Sequence, residues 1–169
     1  GVHIAWLDLR DGNSEIYYNR STDGGTTWGA DIRLTEGPFV SQNPAIFSSG
    51  TILHLVWQYG ISNLEILYKR SMDNGLSWVD STQLSNSFST ARDAAISAYD
   101  VSTHVVWTDT RHGSTNHEIY YKQNPTGNIS GIENISLDFP EGFMLDQNYP
   151  NPFNPSTSIK YQVSSNTQV

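Results

Sequence analysis

The chain has 169 residues, of which 37% are hydrophobic and 12% aromatic, enough for one domain with a buried core, or for one domain and a tail. Its 9 Lys and Arg against 17 Asp and Glu give a net charge of −8, which argues against electrostatic binding to nucleic acid or anionic lipid. The chain has no Cys, so disulfides, zinc-thiolate sites and Cys nucleophiles are excluded. No apolar run approaches the roughly 20 residues of a membrane span.

A unit of about 50 residues recurs along residues 1–127. Two positions in register carry a histidine and a tryptophan in all three copies: His3, His54 and His104, and then Trp6, Trp57 and Trp107. A glutamate opens the next segment of each copy, at Glu15, Glu65 and Glu118. A period of this length is typical of repeat architectures, among them the four-stranded blades of β-propellers.

Within each unit the apolar residues alternate with a period of two, which is typical of strands. In the second unit, residues 52, 54, 56 and 58 share one face, and Leu53, Leu55 and Trp57 share the other. Both faces are largely apolar, as expected for a strand that is buried between neighbouring sheets.

Turn and strand propensities complete the expected unit. Gly- and Asn-containing turns predict hairpin connections at residues 11–13, 60–63 and 112–116. A short first strand is expected around Ala45 and Ile46, and a fourth strand around 32–34 or 83–84. No stretch has a helical pattern, so the predicted fold class is all-β, with four antiparallel strands in each complete unit.

The expected third and fourth strands are joined by a turn of the form Ser-x-Asp-x-Gly-x-Thr/Ser-Trp, found twice at a step of 50 residues. In this turn an Asp carboxylate accepts local backbone N–H bonds, a Gly supplies a positive φ, and the Trp ring is expected to pack under the hairpin. We interpret the eight repeated residues as structural: Ser21, Asp23, Gly25 and Trp28, and Ser71, Asp73, Gly75 and Trp78.

This turn resembles the Asp-box, or BNR repeat, of the sialidase-like β-propellers. The resemblance covers residues 1–127 and implies four-stranded blades around a central axis, with the Asp-box as a folding device on the face away from the active site. The third unit departs from the pattern after Tyr121, where neither the Asp nor the Trp is present. Its last hairpin is therefore expected to be degenerate or absent.

The composition changes after the repeats, and we interpret residues 128–144 as a linker. The segment 145–169 resembles the start of the C-terminal sorting domain of the type IX secretion system, on a motif made by Asn148, Tyr149, Pro150, Asn151, Pro152, Phe153, Asn154 and Pro155. By themselves, the three prolines predict only an extended, turn-rich segment. The resemblance implies export across the outer membrane of a Bacteroidota-type bacterium by that secretion machinery, with a location that is secreted or on the cell surface.

Three units, the first without its opening strand, are too few to close a propeller, which needs about four to eight blades. We expect further blades to precede Gly1 in the natural protein. The alternative is that several chains assemble through their open blade edges.

The family resemblance also implies the sialidase site, with a Tyr nucleophile, an Arg cluster for the substrate carboxylate and an acidic proton donor. The candidates for ligand binding are Arg10 and Arg111, which follow Asp8 and Asp109 at matching positions of two units. The alternative is that these are turn or inter-blade ion pairs that recur with the repeat. Nothing places a Tyr–Glu pair and three Arg together, so no catalytic residue is predicted.

No metal site or cofactor is predicted either. The three histidines occupy one repeated position, so repetition itself accounts for their recurrence, and we favour a half-buried His with a local partner over a metal ligand. Asp8, Asp11, Asn13 and Glu15 offer oxygen ligands for calcium, although their spacing does not match an EF-hand loop. The tyrosine pairs 17–18 and 120–121 could stack on sugar rings or serve strand packing.

Three functions follow as hypotheses. The first is an extracellular binding or scaffold module for a glycan or a protein ligand. The second is part of a sialidase-like glycoside hydrolase whose catalytic residues lie outside this chain. The third is a structural subunit of a surface assembly.

Overall fold

The computed structural model describes residues 1–86, 89–99, 102–124, 144–145 and 161–162. Two compact units make up the chain, Gly1–Ile135 and Ser136–Val169. The described residues form strands, turns and bends with no helix, and every strand pair is antiparallel. The predicted all-β class is confirmed.

The first unit contains three antiparallel sheets that follow one another along the chain. The first sheet has the order β1-β2-β3, with strands Val2–Asp8, Glu15–Ser21 and Ile32–Arg33. The second sheet has the order β4-β5-β6-β7, with strands Val40–Ser49, Ile52–Gly60, Glu65–Ser71 and Thr82–Gln83. The third sheet pairs β9 with both β8 and β10, with strands Ala91–Tyr99, Ser102–Asp109 and Glu118–Asn124.

The second sheet has the four strands that the repeat predicts, but its first strand is longer than expected. We expected a short strand around Ala45 and Ile46, whereas β4 has ten residues. The reason is a bulge at Asn43 and Pro44, where the register with β5 shifts and Asn43 has a φ of 50°. The bulge places a proline, which has no N–H to donate, in the strand without ending it. Asp93 has a φ of 56° at the matching bulge of the third sheet.

Two apolar cores hold the three sheets together, one between each neighbouring pair. The core between the first and second sheets contains Ile16, Tyr18, Leu34, Leu53, Leu55 and Trp57. The core between the second and third sheets contains Val56, Ile66, Tyr68, Leu84, Ala91, Val105 and Trp107. Strand β5 contributes to both cores, one from each of its faces. This confirms the prediction of a strand that is buried on both sides.

In the second unit, strands β11 (Met144–Leu145) and β12 (Tyr161–Gln162) pair antiparallel. The predicted sorting motif at 148–155 lies outside the described residues, as do the end of the third repeat after Asn124 and most of the predicted linker. No helix long and apolar enough for a membrane span occurs in the described part of the chain.

Candidate functional site

The two Asp-box turns share most of their hydrogen bonds. In the second sheet, the Ser71 hydroxyl donates to Asp73 at 2.7 Å and accepts the Gly75 N–H at 2.8 Å. Asp73 also accepts the Leu76 N–H at 3.0 Å, the Ser77 N–H at 2.8 Å and the Ser77 hydroxyl at 2.5 Å. These hydrogen bonds lower the pKa of Asp73 to about 2, and the bond from the Ser77 hydroxyl has the largest effect. Each turn is thus closed by its own side chains, as the sequence predicts for a structural element.

Gly75 and Trp78 also join the first two sheets. Trp78 packs edge-on against Tyr18 of the first sheet, with ring centroids 5.2 Å apart, and a Cβ on Gly75 would lie 2.6 Å from Tyr18 Cζ. We expected each Trp only to pack under its own hairpin. Trp28 does lie beside its own turn, where a Cβ on Gly25 would be 3.9 Å from the ring, and its side chain is 42% exposed.

A second network recurs at the ends of strands β1 and β9 and contains the predicted candidates Asp8, Arg10, Asp109 and Arg111. In the first sheet, Asp8 accepts the Trp6 indole N–H at 3.0 Å and pairs with Arg10 at 2.6 Å. Arg10 in turn lies over the Tyr17 ring, 4.5 Å from its centroid. The hydrogen bond from Arg10, and to a smaller extent that from Trp6, holds the pKa of Asp8 well below its usual range.

The third sheet repeats this network with a more buried aspartate. Asp109 accepts the Trp107 N–H at 3.3 Å and pairs with Arg111 at 2.5 Å, and Arg111 lies 3.8 Å from the Tyr120 ring centroid. Burial alone would raise the pKa of Asp109, but hydrogen bonds from Arg111, Ser89 and Trp107 leave it lowered. Arg10 and Arg111 are therefore bound within their own sheets, and the structure does not bring them together. Ligand binding by these four residues stays a prediction.

The second sheet lacks this network. The positions that carry Asp109, Arg111 and Tyr120 in the third sheet carry Tyr59, Ile61 and Leu67 in the second. As a result, the indole N–H of Trp57 is buried without a hydrogen-bond partner, and Ile61 is 71% exposed. Aligning the three copies would have located this departure, although the alignment alone does not show that it opens a cavity.

Two cavities lie beside Tyr59 of the second sheet. One, of about 540 Å³, runs between the first and second sheets and is lined by Arg33, Glu36, Ser41, Trp57, Tyr59 and Lys69, among others. The other, of about 440 Å³, lies between Phe39 and the 60–63 turn. We call the larger one the intersheet cleft. It combines an aromatic wall with hydroxyl, carboxyl and ammonium groups, which is the usual chemistry of a small-ligand site.

A lysine from the second sheet borders the intersheet cleft. Lys69 donates a hydrogen bond of 2.8 Å to the Leu34 carbonyl of the first sheet. Lys122 makes the same contact with the Leu84 carbonyl across the next sheet boundary. Burial lowers the pKa of both lysines.

The three repeated histidines each have a tyrosine partner. The ring Nδ1 atoms of His3, His54 and His104 lie 2.7–2.8 Å from the hydroxyls of Tyr18, Tyr68 and Tyr121. His54 is fully buried, and burial, with a smaller effect of Arg70, lowers its pKa to about 4. This geometry is the local-partner arrangement that the sequence offered as the alternative to metal binding.

Each of the four oxygen-bearing residues that suit calcium has a protein partner, and Asp11 and Glu15 share Arg33. Asp8 binds Arg10, Asp11 pairs with Arg33 at 3.2 Å, and Asn13 donates to the Phe39 carbonyl at 2.9 Å. Glu15 pairs with Arg33 at 3.1 Å. No group of three or more acidic or histidine side chains able to hold a metal occurs within the described residues.

Two tryptophan substitutions test the difference between the second and third sheets. We expect Trp107→Phe to cost about 1–3 kcal/mol more in free energy of unfolding than Trp57→Phe, because only the Trp107 N–H donates to a buried carboxylate. Both changes remove a similar part of a buried ring, so Trp57→Phe is the matched control. Urea unfolding followed by circular dichroism measures the difference, and equal losses would contradict the assigned hydrogen bonds.

No protein-family model matches the chain, and no curated protein matches it significantly.

Proposed function

We propose that this chain is an extracellular binding or scaffold module of the sialidase-like β-propeller type, with a glycan or a protein as its ligand. The observation that carries the proposal is the intersheet cleft, whose volume and mixed aromatic and polar lining suit a small ligand or one residue of a larger one. The repeated Asp-box turns support the propeller, because each closes a hairpin in sheets that follow one another along the chain.

The proposed location is secreted or on the cell surface. Support comes from the sequence motif at 148–155, which resembles a type IX sorting signal. The secretion machinery is thus a proposed partner.

A sialidase-like hydrolase remains the alternative activity, with its catalytic residues outside this chain. In the described residues, Arg10 and Arg111 are each neutralised by the aspartate two positions earlier. A guanidinium that is paired in this way is less able to bind a substrate carboxylate than an unpaired one. This geometry favours the binding module.

A glycan array probed with the full labelled chain tests the proposal, with an array of extracellular proteins printed beside it. We expect saturable binding to a restricted set of glycans or proteins. Uniform background on both arrays would contradict a binding module.

A second candidate, a structural subunit that assembles with copies of itself, is favoured by the outer faces of the first and third sheets. Ile4 is 41% exposed, whereas Leu55, at the matching position of the second sheet, is fully buried against the first sheet. At the other end Ile119 is 61% exposed, whereas Ile66 is fully buried. The exposed face of the first sheet thus corresponds to the face by which the second sheet packs on the first, and the exposed face of the third sheet corresponds to the face by which the second packs on the third. The third sheet of one copy could therefore pack on the first sheet of the next copy.

Sedimentation velocity over a range of concentrations tests this second candidate. Self-association that Ile119→Glu abolishes would support it. A monomer at all concentrations would contradict it.

A further inference from the structure

The intersheet cleft has hydrogen-bonding groups that the protein itself does not use. Ser41 Oγ and Trp57 Nε1 are buried and have no partner, although both residues line the cleft. Lys69 gives one hydrogen bond to the Leu34 carbonyl, which leaves further N–H groups on its ammonium. Buried polar groups are nearly always satisfied in folded proteins, so these groups point to a ligand rich in hydrogen-bonding atoms.

The charges around the cleft disfavour an acidic ligand. Arg33 is fully engaged by Glu15 at 3.1 Å and Asp11 at 3.2 Å. The charge of Lys69 is opposed by Asp80, which interacts with it electrostatically. The exposed Glu36, which also lines the cleft, interacts electrostatically with Arg33. The cleft therefore has no surplus of positive charge, and the chain as a whole carries −8.

Aromatic side chains supply the remaining wall. Trp57 and Tyr59 line the cleft, and Phe39, which lines the smaller cavity, packs edge-on against Tyr59 with ring centroids 5.6 Å apart. Phe39 is 44% exposed. An aromatic face beside a mixture of hydroxyl, ammonium and carboxylate groups matches a sugar ring, which has an apolar C–H face and a rim of hydroxyls that both donate and accept.

We propose that the intersheet cleft binds an uncharged sugar residue of a glycan, with Tyr59 against its C–H face and Lys69, Ser41 and Glu36 bonded to its hydroxyls. This inference rests on the proposed binding function and narrows its ligand to neutral glycans. It also assigns the site to the boundary between the first two sheets, in a cleft that neither Arg10 nor Arg111 lines.

The third sheet offers a matched control because other residues occupy the corresponding positions there. Its residues at the positions of Ser41 and Tyr59 are Ala91 and Asp109, and Asp109 is held by Trp107 and Arg111. Lys122 makes the same carbonyl contact as Lys69. Lys122→Gln therefore removes an equivalent charge and an equivalent structural bond without touching the cleft.

The experiment probes the full chain and its variants against an array of matched neutral and acidic oligosaccharides, such as lactose beside sialyllactose and oligoglucosides beside oligoglucuronides. We expect binding to neutral members, weakened tenfold or more by Lys69→Gln and unchanged by Lys122→Gln. The double variant Tyr59→Asp/Ile61→Arg, which installs the residues of the third sheet, is expected to abolish binding while circular dichroism stays that of the wild type.

Each other outcome overturns the proposal in a distinguishable way. Preference for the acidic members would refute the neutral ligand, and binding that all variants retain would place the site elsewhere, with the binding function standing in both cases. Binding to proteins alone would refute a sugar site while leaving a binding module. Wild-type chain that binds nothing on any array would remove the proposed function itself.

Discussion

Gly75→Ala is expected to destabilise the protein by about 2–4 kcal/mol, whereas Gly25→Ala at the matching turn costs about 1 kcal/mol. Both glycines have a positive φ, 85° and 95°, which an alanine adopts only with strain. The added cost at Gly75 comes from Tyr18, since a new Cβ there would overlap the Tyr18 hydroxyl and lie 2.6 Å from Cζ. Tyr18 is fully buried between the sheets and cannot move aside without disrupting the core.

Urea unfolding of the two variants measures the difference, and Gly25→Ala is the internal control for backbone strain alone. A Cβ on Gly25 would have no neighbour closer than the Trp28 ring at 3.9 Å. The stability lost in Gly25→Ala therefore reports only the conformational cost of the positive φ. Equal losses for the two variants would show that the second Asp-box turn does not pack against the first sheet as described.

The second large effect is a loss of folding stability at acidic pH caused by the buried His54. Burial lowers the pKa of His54 to about 4, below the ordinary value of 6.5. Between these two values the unfolded chain takes up a proton that the folded chain does not, so the folded state loses stability as the pH falls from about 6.5 to about 4. The difference corresponds to at most about 3 kcal/mol. Carboxylates such as Asp73, with a lowered pKa, begin to add their own loss as the pH approaches their ordinary value of 3.8.

The free energy of unfolding at several pH values from about 7 to about 4, for wild type and His54→Gln, checks this effect. We expect a decline in the wild type that is much reduced in His54→Gln, whatever the absolute stability of the variant. The same slope in both proteins would mean that His54 is not the group responsible.

Much of the fold follows from local patterns that the sequence displays directly. The alternation in 52–58 predicts a strand buried on both faces, and β5 supplies both cores. The Asp-box spacing predicts a turn that satisfies its own polar groups, and Asp73 does so. The length of β4 could not be predicted because Pro44 disfavours a strand, and only the bulge at Asn43 accommodates it.

The candidate site was much less predictable. The paired Arg10 and Arg111 stand out in the sequence, but in the fold each is held by an aspartate and a tyrosine of its own sheet. The intersheet cleft arises where the second sheet loses that arrangement and Tyr59 replaces an aspartate. Its other residues come from strands far apart in the sequence, so their juxtaposition depends on how two sheets pack, which no local pattern encodes.

We propose that this chain binds an extracellular ligand without converting it. Isothermal titration of the full chain with the best glycan or protein from the arrays, followed by mass analysis of the recovered ligand, tests this directly. We expect saturable binding and a ligand that is recovered intact after prolonged incubation. Catalytic release of a sugar or any other fragment from that ligand would contradict it and establish a hydrolase.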